Sequence, residues 1–199
     1  MSDFNFGKIT GTMIILCIVG FILQQFIDMS TLYFSPDYLT KPWVLITSLF
    51  LHANVIHLAY NLYALFIFGN VLEKNTNQKF TLTIILLGGI SGNILFSIIS
   101  PSNAIGFSGA IYALMGSVTI LLPNLKIPLP LGFIAVPAKA WFAGPVMALG
   151  ELLLSITSFD NIAHSAHLGG FALGFIMSWF WKKYYYQSIT SLSARELHD

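Results

Sequence analysis

Six long apolar stretches, at about 9 to 27, 45 to 72, 80 to 99, 108 to 122, 139 to 158 and 161 to 181, are separated by short polar or proline-bearing breaks. Runs of this length predict membrane-spanning helices, because about 20 residues cross a hydrocarbon layer of about 30 Å. The fourth run is the exception. From Ser108 it stops at Pro123, and about 15 residues rising 1.5 Å each give roughly 22 Å. The first run reads as a retained span and not a signal peptide: it is long, lacks a small-x-small cleavage site and is followed by five more. Pro123, Pro128, Pro130 and Pro137 mark a loop between the fourth and fifth runs,. The expected organisation is one transmembrane domain at 1–183 and a short polar tail at 184–199 that frays.

The short fourth helix has a consequence for the chain before it. With its inner end at the membrane surface, Ser108 lies roughly 8 to 10 Å below the outer surface and residues 100–107 dip into the bilayer as a loop. Non-helical backbone at that depth is tolerated only where it is buried in protein or lines a water-filled cavity. Ser108 itself stands in a Gly106-Phe107-Ser108-Gly109 turn of the kind that presents a nucleophile.

Composition agrees with the pattern: 56% of the 199 residues are hydrophobic and 9% charged, with a mean hydropathy of +0.77, as in a polytopic membrane protein. A net charge of +1 argues against a nucleic-acid partner, which would call for a basic stripe. The single Cys17 cannot form an internal disulfide,. Basic residues set the orientation. With the N-terminus inside, Lys8, Lys74, Lys79, Lys126, Lys139, Lys182, Lys183 and Arg195 are cytoplasmic and only Lys41 is outside, with Asp28, Asp37 and Asp160 on the outer side. Both termini are then cytoplasmic.

Depth can be counted from each cytoplasmic end. Ser108 is 15 positions from Pro123, His167 is 15 from Lys182 and His57 is 16 from Glu73. The three share a height, and Asn61 lies one turn below His57 on the same helix face. Small residues supply the lateral information that depth lacks. Gly109, Ala113 and Gly116 form one ridge, and Ala163, His167, Gly170 and Gly174 another; such ridges let helices approach closely in lipid. The fourth and sixth helices are therefore expected to touch with Ser108 and His167 at the contact, and Gly170→Val to be harsher than Gly169→Ala.

These residues resemble the rhomboid family of intramembrane serine proteases. The matching pieces are His57-Leu58-Ala59-Tyr60-Asn61, Gly106-Phe107-Ser108-Gly109 and Ala166-His167-Leu168-Gly169-Gly170 with Gly174, in family order from about Trp43 to Trp181. The resemblance implies an all-α membrane protein, a six-transmembrane-helix rhomboid fold with a short fourth helix starting inside the bilayer. It implies a Ser-His dyad of Ser108 as nucleophile and His167 as general base, and Tyr112 stacked on the histidine. His57 and Asn61 correspond to the oxyanion-side groups, while Gly106, Phe107, Gly109, Gly170 and Gly174 support the site. One departure is plain: many relatives carry Trp-Arg in the first loop, where this chain has Trp43-Val44.

The chemistry is coherent without the family. A serine hydroxyl becomes a nucleophile when a base takes its proton, and a histidine can take it and later protonate the leaving amine. The Ser108 backbone N–H at a helix start, the Asn61 amide and His57 can serve the oxyanion. No third carboxylate is assigned. Asp160 lies roughly 10 Å of helix above His167, and Glu151, an ionisable residue within a span and so functional by default, is left outside catalysis. His52 reads as structural, and His164 shares a face with His167. The rivals are a metal or haem site on His57, His164 and His167, an inactive client-binding relative and a small transporter. The expected activity is an intramembrane serine endopeptidase of a prokaryotic cell membrane, acting on transmembrane protein substrates within the lipid bilayer, with no metal or organic cofactor.

Overall fold

The computed structural model describes residues 7–100, 102–131, 134–157 and 162–196. Among these residues seven α-helices and a hairpin follow in the order α1 (Lys8–Leu23), α2 (Val44–Thr47), α3 (Val55–Asn75), α4 (Gln78–Ile99), α5 (Ser108–Leu121), β1 (Lys126–Leu131), β2 (Ile134–Lys139), α6 (Ala140–Thr157) and α7 (His164–Glu196). Of these, α3, α4 and α6 are each long and apolar enough to cross a membrane. The shorter α1 is extended by turns that carry hydrogen bonds as far as Ile27. At 14 residues, α5 is about 21 Å long.

Polar side chains set the helix boundaries. Asn54 and Asn77 cap α3 and α4, their Oδ1 atoms accepting from the amides of His57 at 2.8 Å and Phe80 at 2.9 Å, the usual way to satisfy first-turn donors. The start of α1 is capped from another helix: Glu73 of α3 accepts from the amides of Ile9 and Thr10, both at 3.0 Å, and from the Thr10 hydroxyl. A carboxylate there also meets the positive end of the α1 dipole.

In three places the chain departs from the expected pattern. The run at 45 to 72 is not one helix. It divides into α2, a 3₁₀ turn at Ser48–Phe50, an extended Leu51 and then α3, because Asn54 starts a new helix and Asn93 of α4 occupies the carbonyl of Leu45 and the hydroxyl of Ser48. The proline-rich loop is an antiparallel hairpin in which Pro128 faces Pro137; a two-stranded ribbon has free outer edges that accept residues lacking an N–H. The backbone of α7 continues as helix to Glu196 instead of fraying at Tyr184. Asp160 lies outside the described residues.

The loop before Ser108 is held on both sides. Phe34 and Ala104 exchange two backbone hydrogen bonds of 3.1 Å, and the amide of Gly106 donates to the carbonyl of Ser48 at 3.0 Å. Val44, which follows Trp43 where many rhomboids carry arginine, is fully buried in a small cluster with Phe34, Phe96 and Ala166. An apolar side chain anchors the first loop here. Phe107, Leu114, Met115, Leu65, Ile84 and Ile85 lie in the main core, and α5 passes through its middle with ten of its 14 residues buried.

Candidate active site

The Ser108 turn is built by a glycine. Gly106 adopts φ +133°, a conformation that residues with a Cβ rarely hold. A Cβ there would also come 2.7 Å from Cε1 of His57. The chain therefore runs directly against the His57 ring, turns at buried Phe107 and enters α5 at Ser108. Backbone N–H groups of the first helical turn have no intrahelical partner, so the Ser108 end of α5 presents donors to whatever lies in front of it.

His167 meets this end from α7. Its Nε2 is 2.8 Å from the Ser108 hydroxyl, and its ring stacks on Tyr112 with centroids 4.4 Å apart and planes 6° from parallel. Close helix packing makes the pairing possible. A Cβ on Gly170 would collide with the Gly109 carbonyl, one on Gly174 with the Ala113 carbonyl and one on Gly116 with the Phe171 carbonyl. At the other end of the same pair, Lys182 donates to the carbonyl of Ile120 at 3.1 Å, fixing the register of α7 along α5. Gly169 faces a different helix: a Cβ on it would lie 2.8 Å from the carbonyl of Ser91 on α4.

The other expected site residues are arranged unequally. His57 sits beside Gly106 and makes an edge contact with His52, their centroids 5.2 Å apart. Asn61 is buried, and its amide donates to the carbonyl of His57 at 2.8 Å, back onto its own helix, which leaves one amide hydrogen uncommitted,.

Glu151, which the sequence marks as functional but assigns no catalytic role, joins the site. It is buried at 8% exposure, whereas Leu149, Leu152, Leu153, Leu154 and Ile156 of the same helix are exposed. Its Oε2 lies 2.6 Å from Nδ1 of His164 and 3.0 Å from Nδ1 of His167, and its Oε1 accepts from the Tyr112 hydroxyl. The His167 contact is at ion-pair distance but off-line for a straight hydrogen bond. The signal available in the sequence was its charge: an acid in an apolar span faces protein or a cavity by default. Glu151, His164 and His167 also bring donor atoms within 4.8 Å of one another, so the group could hold a metal ion.

Comparison with known proteins adds an independent line. A model of the rhomboid domain matches residues 39–184. The rhomboid protease GlpG of Yersinia pestis (strain Pestoides F) is 30% identical over 185 residues, covering 88% of this chain and 63% of the relative. The GlpG proteins of Yersinia pseudotuberculosis serotype O:3 and Yersinia enterocolitica serotype O:8 match with the same identity and coverage. The chain thus spans under two thirds of the length of the curated relatives it matches. A domain match over most of the chain, containing the Ser108 turn and the His167 helix in order, means that the chain belongs to the rhomboid family.

Proposed function

We propose that this chain is an intramembrane serine endopeptidase that cleaves transmembrane segments of membrane proteins. The 2.8 Å hydrogen bond between Ser108 at the head of α5 and Nε2 of His167 carries this reading. In the proposed reaction the Ser108 hydroxyl donates its proton to Nε2 as Oγ attacks the scissile carbonyl carbon. The C–N bond then breaks, and His167 returns the proton to the departing amine. Water, deprotonated by the same nitrogen, attacks the acyl ester and frees Ser108. The negative oxygen of each tetrahedral intermediate is served by the backbone N–H of Ser108 and by the Asn61 amide and His57. Tyr112 keeps the imidazole plane in place by stacking.

The same proposal carries the membrane arrangement: six spans, with α5 starting below the outer surface, and both termini cytoplasmic in a prokaryotic cell membrane. It is supported by the basic residues at one end of the helices, and by the exposed apolar faces of α1 and α6, such as Ile15, Ile22, Leu149 and Leu153. The substrates would be single-span proteins with small residues at the cut, and helix-weakening residues would let the strand reach Ser108. Protein reconstituted in vesicles should cleave such a substrate. Ser108→Ala should lose the activity by roughly 10⁴-fold or more, in the range of triad members of soluble serine proteases. Normal turnover by Ser108→Ala would end the proposal.

A further inference from the structure

Three donors converge on one buried carboxylate beside the proposed general base. Oε1 of Glu151 accepts from the Tyr112 hydroxyl, and Oε2 faces Nδ1 of His164 at 2.6 Å and Nδ1 of His167 at 3.0 Å. The nitrogen of His167 that faces the carboxylate is not the one that faces Ser108. A carboxylate offers only lone pairs, so the Nδ1 opposite it carries the proton, and the proton-free Nε2 is left toward the serine hydroxyl. We infer that Glu151 is a positioning residue for the proposed hydrolysis: it selects the tautomer of His167 and balances the imidazolium that forms when Ser108 attacks. This rests on the serine-protease reading above.

The chemistry is that of the third member of a serine-protease triad, in which an acid orients the histidine without itself taking the proton. Here the acid comes from a different helix than either partner and is fixed in turn. Tyr112 joins the two roles, stacking on the His167 ring while its hydroxyl binds Glu151. The off-line contact of Glu151 with His167 suits a resting site, since catalytic hydrogen bonds often straighten only when substrate is bound.

The same three side chains could instead be metal ligands, and the geometry argues otherwise. Around a tetrahedral zinc ion with bonds of about 2.0 to 2.1 Å, ligand atoms sit about 3.3 Å apart. The His164 nitrogen and the Glu151 oxygen are 2.6 Å apart, a direct hydrogen-bond distance. With the hydroxyl and the two ring nitrogens as donors, the carboxylate is surrounded by partners from the protein itself.

The test is single-turnover and steady-state kinetics of the reconstituted protein, with fluorophosphonate labelling of Ser108 measured in parallel. Glu151→Gln keeps the size and removes the charge; kcat should fall by on the order of 10²-fold with KM little changed, below the roughly 10⁴-fold cost of neutralising the triad acid of a soluble protease. Labelling should slow in proportion, and Glu151→Asp should recover part of kcat. Glu151→Leu removes both oxygens and strands the buried donors around them,: it should melt below wild type and be at least as slow as Glu151→Gln, while a near-wild-type melting temperature of Glu151→Gln separates the loss of rate from unfolding. Tyr112→Phe keeps the stack and loses the hydroxyl, so its effect should be far less than additive with that of Glu151→Gln. Wild-type kcat in Glu151→Gln, or a loss confined to KM, would overturn the proposal while leaving Ser108 and His167 as they stand. Activity that EDTA removes and zinc restores would overturn it too, by giving the cluster to a metal. Failure of wild-type protein to label at Ser108 would instead remove the reading on which it rests.

Discussion

At the scale of single residues, rarity in an apolar environment is the most informative signal. Ser108 and His167 could be paired from the sequence because each is a polar group at one counted depth, and the 2.8 Å contact follows from that count and two ridges of small residues. Glu151 had the same rarity and stands 12 positions from Lys139, about one turn from the others' level, yet its partners were not legible. Depth gives height along a helix but not rotation about it, and on α6 apolar residues occupy every direction, so no stripe indicates which way position 151 points. Asn61 shows the complementary limit: its expected depth does not reveal that the amide bonds back to the His57 carbonyl. If the remaining amide hydrogen serves the oxyanion, Asn61→Ala should lower kcat by about 10-fold to 10³-fold with KM unchanged, the upper figure being that of one oxyanion donor in a soluble protease. A raised KM with unchanged kcat would make Asn61 a substrate contact.

At the scale of elements, contacts between backbones do the positioning. Because Gly170 and Gly174 lie against carbonyls of α5, the α5–α7 distance is set by main-chain atoms that cannot yield by changing rotamer. Gly170→Val should force the helices apart and lower both melting temperature and activity, and a displacement of about 1 Å at His167 can cost roughly 10²-fold in rate. Gly169 packs on a different helix, against Ser91 and Gly92 of α4. Gly169→Ala should lower the melting temperature modestly while activity per folded molecule stays near wild type; if it matched Gly170→Val in rate, the α5–α7 contact would not be what places the histidine. The break at Leu51–Asn54 lay hidden in a continuous apolar run whose excess length was the clue, and the hairpin was masked by its prolines. Its buried Ile127 and Leu129, flanked by the more exposed Lys126, Pro128 and Pro130, do follow the period of two that marks a strand.

At the scale of the whole molecule, the apolar surface and the distribution of charge act together. Large apolar side chains are exposed on α1, α3 and α6, which hydrocarbon accommodates and water does not. Eight of the nine basic residues fall at one end of the helices in the proposed orientation,. Single cysteines introduced at Asp37 and at Lys79 should report this: the first should react with a membrane-impermeant maleimide in intact cells and the second only after permeabilisation. The reverse pattern would invert the chain in the membrane and place Ser108 near the cytoplasmic face. The mostly helical, apolar architecture and the Ser108–His167 contact were legible because a membrane imposes length and polarity rules on every span,. The lateral contacts of Glu151 were not, because those rules leave rotation and neighbour choice to packing.

The central claim is that Ser108 is a nucleophile activated by His167. Reaction of the bilayer-reconstituted protein with a fluorophosphonate, followed by mass spectrometry of the adduct, tests it most directly. A single adduct on Ser108, absent from Ser108→Ala and strongly slowed in His167→Ala, is the predicted result. An unlabelled wild-type protein that is folded and reconstituted, or an adduct at another serine that persists in Ser108→Ala, would contradict it.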